Sequence, residues 1–276
     1  MPCVTIAGER TFYALYQGDV RKRSGDVRGK RNLVLVHGAG GSHLDWPSPL
    51  RRLTGANVYA LDLPGHGRSE GTGRVLSLPK GRSSIAAYRD FLLAFLDILD
   101  LERAVVVGHS MGGAIALDFA LHYPDRLAGL VLVGSGARLR VLPAILTGIL
   151  SDSEVETAFE ATVDLVCNYA YGPGISEQLK RLGRQRLIKT PPEVLYGDYA
   201  ACDAFDVMER LGEVHCPALI IGGTADRLTP PKYSIYLHDH IPGAELILVD
   251  AAGHMVMLEK PEVVTRAISK FILIKS

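Results

Sequence analysis

Short runs of apolar residues alternate along this chain with longer stretches whose apolar positions recur every three or four residues. Runs of the first kind cover residues 32–36, 57–61, 104–107, 127–133, 218–221 and 245–249, and an earlier one covers 11–16. Near-continuous apolar runs of this length read as strands buried on both faces. The second pattern is clearest over 84–99, where Ile85, Tyr88, Leu92, Phe95, Leu96 and Leu99 share one helical face. Such alternation predicts a mostly parallel sheet covered by helices on both sides. From Gly136 to about Leu211 the strand pattern stops, and helix-like segments over 154–171 and 176–188 are broken by Gly172-Pro173-Gly174 and Pro191-Pro192.

The end of one strand carries the most informative motif. Gly108-His109-Ser110-Met111-Gly112 follows Ala104-Val105-Val106-Val107 and precedes Ala114-Ile115-Ala116-Leu117, which reads as helix. A G-x-S-x-G between strand and helix forces the serine into a strained turn and exposes its hydroxyl. A serine hydroxyl needs a base, and the base needs an orienting group. Strand 218–221 runs into Gly222-Gly223-Thr224-Ala225-Asp226, and strand 245–249 into Asp250-Ala251-Ala252-Gly253-His254. Ser110, Asp226 and His254 thereby fall at the carboxyl ends of three strands, the edge where open parallel sheets place ligands. Asp250 is the rival acid, being near His254 in sequence but at the very end of its strand.

With Val36-His37-Gly38-Ala39-Gly40-Gly41 and Asp62-Leu63-Pro64-Gly65-His66-Gly67-Arg68-Ser69, these motifs resemble those of the α/β-hydrolase superfamily, in particular its cap-bearing serine carboxylesterases. The resemblance runs from the early hairpin to the last helix. It implies an eight-stranded, mostly parallel sheet flanked by helices, with a helical cap inserted after the sixth strand. The core would span 1–135 and 212–276, and the cap 136–211. The order Ser, Asp, His matches that superfamily. Its other acid position, after the sixth strand, holds Gly134-Ser135-Gly136-Ala137-Arg138, which has no carboxylate.

The resemblance also assigns roles. Ser110 is the nucleophile, His254 the base and Asp226 the orienting acid. The backbone N–H groups of Met111 and Ala39 form the oxyanion hole, two donors about 3 Å from the developing charge. Gly38, Leu142, Ile145, Leu146 and Val256 are the candidate pocket residues. His37 and His66 are expected to hold turns, and the elbow should direct His109 away from the pocket. The expected activity is hydrolysis of short- to medium-chain carboxylic esters through an acyl-enzyme, without metal or organic cofactor. A carbon–carbon bond hydrolase, a lactonase or a thioesterase could use the same triad. A carbon–carbon bond hydrolase would add a basic clamp, for which Arg138, Arg140 and Arg184 are available. A non-catalytic ligand-binding protein of the same fold is the remaining alternative.

Composition narrows the setting. The 276 residues are 47% hydrophobic, enough for a large core, and 30 basic residues balance 30 acidic ones. No charge excess points to nucleic acid or an anionic membrane. No apolar run nears the ~18 residues of a membrane span. The start of the chain lacks the pattern of a signal peptide. Four scattered cysteines without metal-site spacing fit a reduced, cytoplasmic protein. The expected partner is a small ester, and the expected state a monomer or homodimer. The basic stretch 21–31 is expected to be a solvated hairpin loop.

Overall fold

The computed structural model describes residues 2–17, 31–71, 84–149 and 155–274, without the side chains of 155–157. Most of the basic stretch 21–31, together with Leu150 and Glu154, lies outside them. The strands are β1 (Cys3–Ile6), β2 (Glu9–Gln17), β3 (Arg31–Val36), β4 (Ala56–Leu61), β5 (Ala104–His109), β6 (Leu127–Val133), β7 (Ala218–Gly223) and β8 (Glu245–Val249). They form one sheet in the order β1-β2-β4-β3-β5-β6-β7-β8. The β1–β2 and β2–β4 pairs are antiparallel, and every pair from β4–β3 through β7–β8 is parallel. β1 is an element that the apolar runs did not announce.

Period-two alternation divides the central strands between two cores. Val34, Val36, Val106, Leu130, Leu132 and Ile220 point to one face. Leu33, Leu35, Val105, Val107, Val131 and Ile221 point to the other. The first face is covered by α2 (Ile85–Ile98) and α3 (Met111–His122), with Tyr88, Phe95, Ile115 and Phe119 fully buried. Ser84 caps α2 by accepting from the Ala87 N–H at 3.1 Å, so the predicted helix starts one residue inside its polar cap. The second face is covered by α1 (Ser48–Arg51), α9 (Val256–Glu259) and α10 (Pro261–Ile274).

Between β6 and β7 stand α4 (Pro143–Ile149), α5 (Val155–Ala170), α6 (Glu177–Leu187) and α7 (Pro192–Ala204), and α8 (Pro231–His240) follows β7. The Pro191-Pro192 pair that was expected to end one helix also opens the next, as a proline at the first helical position has no N–H to lose. Ile145, Ile149, Phe159, Val163, Val166 and Leu195 give these helices a small core of their own. Among the described residues no helix is long and apolar enough to cross a membrane.

Candidate active site

Ser110 links β5 to α3 with φ 52° and ψ −116°, a region costly to a residue with a side chain. Its N–H donates to the Val133 carbonyl at 3.0 Å, and its own carbonyl accepts from Gly113 N–H at 2.9 Å and Ser135 Oγ at 2.8 Å. The flanking glycines are required by close approach. A Cβ on Gly108 would lie 2.1 Å from the Gly112 carbonyl oxygen, and one on Gly112 would lie 2.2 Å from that of Val36. Backbone thus fills the space beside both glycines, and the Ser110 side chain faces the cavity.

His254 and Asp226 meet at the ends of the neighbouring strands. His254 Nδ1 donates to Asp226 Oδ2 at 2.9 Å, and both side chains are buried. The other carboxylate oxygen accepts the N–H groups of Leu228 and Thr229 at 2.8 and 2.9 Å, a local turn that fixes its direction. Thr229 Oγ1 donates to Asp226 Oδ2 at 2.8 Å and lies 3.1 Å from His254 Nδ1. Burial alone would raise the Asp226 pKa, but the adjacent imidazole and the Thr229 donors outweigh it and hold the carboxyl below its ordinary value. Asp250 is exposed and bonds Thr224 Oγ1 at 3.3 Å instead, so Asp226 is the acid that faces His254. A Cβ on Gly134 would sit 3.4 Å from His254 Nδ1 and 3.6 Å from Asp226 Oδ2. The position after β6 therefore also faces the imidazole, and its lack of a side chain leaves that space to Asp226.

Sequence reasoning missed Thr229, although an Asp followed three residues later by a Thr carries a turn signal. It also misplaced His109. That ring borders the cavity, donates Nε2–H to the His254 carbonyl at 3.0 Å, and sits 4.7 Å from the His254 ring centre. Burial, and then repulsion from His254, lowers its pKa to about 3, which keeps the ring neutral. His37 and His66 do hold turns. His37 donates Nδ1–H to the Gly38 carbonyl at 2.8 Å and accepts the Leu63 N–H at 3.0 Å, while His66 donates Nδ1–H to the Pro64 carbonyl at 2.9 Å.

A cavity of about 380 Å³ contains Ser110 and His254 in its wall, together with Gly38 and Ala39. Among the described residues Ser110 Oγ makes no hydrogen bond to His254, so the shared cavity is what brings the two together. Free catalytic groups often tighten only around substrate. Neither the Ala39 nor the Met111 N–H has a hydrogen-bond partner among the described residues. Met111 opens α3 with its side chain in the core, as the first N–H groups of a helix leave donors unused.

Of the expected pocket residues, Gly38, Leu142 and Ile145 line the cavity, whereas Leu146 and Val256 do not. One residue of helix turns a side chain by about 100°, so α4 cannot present Ile145 and Leu146 to the same wall. Val256 opens α9 and is buried with Leu219 and Ile221 in the core of the second face. Val166, Ala170, Leu187 and Tyr199 complete the apolar side from α5, α6 and α7. Arg140 lines the cavity while pairing with Asp206 and donating to the Asp203 carbonyl. Arg138 pairs with the same Asp206 outside it, and Arg184 pairs with Glu160 and Asp164. Arg186, Arg227 and Lys232 line it as well.

The profile of the alpha/beta hydrolase family matches residues 33–267. The chain is 29% identical over 255 residues to the 2-hydroxy-6-oxo-6-phenylhexa-2,4-dienoate hydrolase of Comamonas testosteroni, covering 87% of each. It is 30% identical over 260 residues to the 2-hydroxy-6-oxononadienedioate/2-hydroxy-6-oxononatrienedioate hydrolase of Burkholderia vietnamiensis, covering 88% of each. A solved structure of a thermophilic esterase is 33% identical and superposes with a TM-score of 0.77, over 98% of this chain and 96% of that one. Sheet order, elbow and family match agree: the chain is a hydrolase and belongs to the α/β hydrolase family.

Proposed function

We propose that this chain is a serine carboxylesterase acting on short- to medium-chain acyl esters through an acyl-enzyme. The observation that carries the reading is the strained Ser110 sharing one cavity with a His254 whose Nδ1 is held by a buried carboxylate. Asp226 accepts only, so Nδ1 carries the ring hydrogen and Nε2 keeps a lone pair for the serine proton. As Ser110 Oγ bonds to the acyl carbon, its proton passes to Nε2 and the carbonyl electron pair moves onto oxygen. The Ala39 and Met111 N–H groups receive that charge. Collapse breaks the bond to the alcohol oxygen, which takes the proton from His254, and water then repeats the sequence on the acyl-enzyme. The helices within 136–211 serve as a cap that keeps bulk water from the reacting atoms. A cavity of about 380 Å³ lies near the lower end of the ~300–1,000 Å³ usual for ligand pockets, which supports small acyl groups.

A second reading is favoured by the basic residues at the cavity and by the two relatives named above. The same nucleophile would attack the ketone of a dienoic acid, with Arg140, Arg186, Arg227 or Lys232 holding its carboxylate. One screen separates the two. Purified protein is given p-nitrophenyl esters of two to twelve acyl carbons, and in parallel a 2-hydroxy-6-oxodienoate. The ester reading expects higher kcat/KM on the esters, lost in Ser110→Ala. A hundredfold preference for the dienoate would replace it with the second reading.

A further inference from the structure

One residue beside the proposed oxyanion hole has both of its backbone polar groups held by residues far away in the chain. Gly40 follows Ala39 and has φ +63°. Its N–H donates to Asp198 Oδ2 at 2.9 Å, and its carbonyl accepts from Thr190 Oγ1 at 2.9 Å. Thr190 immediately precedes the Pro191-Pro192 pair, and Asp198 lies on α7, so both belong to the segment inserted between β6 and β7. That segment also presses on Gly40 directly. A Cβ on Gly40 would meet Leu187 at 2.4 Å and Leu195 at 2.7 Å. Only glycine allows this left-handed backbone to lie flat against α6 and α7.

Asp198 is itself anchored. Its side chain is fully buried, accepting His66 Nε2–H at 2.7 Å and Tyr88 O–H at 2.7 Å besides the Gly40 N–H. His66 gives its other ring hydrogen to the Pro64 carbonyl. Two donating nitrogens define an imidazolium. Burial is the largest single influence and disfavours that cation, but the Asp198 charge and hydrogen bond, the Pro64 carbonyl and the Asp62 charge together outweigh it and raise the His66 pKa above the ordinary histidine value. The carboxylate thus ties together the Asp62–Ser69 turn, α2, α7 and the loop that carries Ala39. Nothing in the proposed acyl transfer uses it.

We propose that Asp198 and Thr190 are positioning residues that hold the Gly40 backbone, and through it the Ala39 N–H, at the place where the oxyanion forms. The proposal rests on the ester-hydrolase reading of the site. A donor displaced by about 1 Å can lose on the order of 10²-fold in rate. Substrate binding does not need that donor, so the loss falls on kcat.

The test uses kcat and KM on p-nitrophenyl butyrate together with the Ki of a butyl trifluoromethyl ketone. The ketone adds Ser110 Oγ to its carbonyl carbon and places an oxyanion in the same hole. Asp198→Ala is expected to lower kcat ten- to hundredfold and raise Ki by a similar factor, with KM within about threefold. Asp198→Asn restores most of the rate, because its amide oxygen can still accept the Gly40 N–H. Thr190→Val, of equal shape, lowers kcat severalfold, and Thr190→Ser does not. If Asp198→Ala fails to fold, the Thr190 pair decides. Folded variants with parental kcat and Ki, or with a change in KM alone, overturn the proposal. An unaltered protein that hydrolyses no ester, or a Ser110→Ala variant that still does, instead removes the reading beneath it.

Discussion

Replacing Asp226 by Asn tests the proposed chemistry through a single hydrogen atom. Asp226 Oδ1 accepts two backbone N–H groups, from Leu228 and Thr229, at 2.8 and 2.9 Å. In the amide only the oxygen can occupy that place, since an NH₂ there would face two donors. The NH₂ is therefore turned toward His254 Nδ1 and Thr229 Oγ1, the atoms that now face Oδ2 at 2.9 and 2.8 Å. It donates to Nδ1 and moves the ring hydrogen to Nε2, which can no longer take the serine proton. The same substitution in the serine-protease triad lowers kcat about 10⁴-fold by leaving the wrong tautomer. At 1.36 kcal/mol per tenfold this is a barrier increase of about 5 kcal/mol. Both backbone bonds survive, so the variant should fold. The assay is kcat on p-nitrophenyl butyrate at pH 8, with near-UV circular dichroism to verify the fold. Activity within tenfold of the unaltered protein, alongside a severe loss in Asp250→Asn, would refute the assignment.

Three further outcomes are expected. Ser110→Ala and His254→Ala should each lower kcat about as much as the double variant does, because they act as one unit, and additive losses in steady-state kinetics would separate them. Leu142 is 47% exposed and Ile145 only 3%, so the two cavity substitutions to Ala should differ. Leu142→Ala should improve kcat/KM for acyl chains of eight or more carbons at little cost in stability, whereas Ile145→Ala should cost roughly 2–5 kcal/mol in urea unfolding. Stability should also fall with acid. Burial, and then His66, lowers the His37 pKa to about 4, and burial and then His254 lowers that of His109 to about 3. The unfolded chain takes up these protons near pH 6.5 while the folded one does not, so stability declines as pH falls below about 6.5. Each ring contributes about 2 kcal/mol of that loss by pH 5. Asp45, whose pKa burial raises to about 6, and His66, whose pKa is raised beside Asp198, return part of it. Urea unfolding at pH 7.5 and 5 measures the balance, and equal stability at the two would mean that the rings are not held neutral.

The elements legible in the sequence are those whose signal is local. Residues 127–133 and 245–249 coincide with β6 and β8, because Val and Ile favour the extended chain. Only β6 is buried on both faces, whereas β8 is the edge strand and leaves Leu248 exposed, against the expectation from its apolar run. Ser110, Asp226 and His254 were legible for a related reason. Each ends a recognisable strand, and parallel strands in one sheet bring their carboxyl ends to one edge.

What the sequence by itself determined is therefore the sheet, its parallel middle and the three residue types along its edge. It favoured Asp226 over Asp250 as the acid that faces His254, but the reason lies in the packing. The turn over 226–229 directs one inward, and exposure beyond β8 takes the other out. It could not distinguish Ile145 from Leu146 at the cavity, since the rotation of α4 is set by what packs against it. Nor did it single out Asp198, whose partners Gly40, His66 and Tyr88 are 158, 132 and 110 positions away. Local apolar periodicity states which face of an element is buried, but not which distant polar group it meets there. That choice belongs to the packed chain, because a buried donor or acceptor costs about 1–3 kcal/mol unless a partner reaches it, and only the tertiary structure brings that partner within reach.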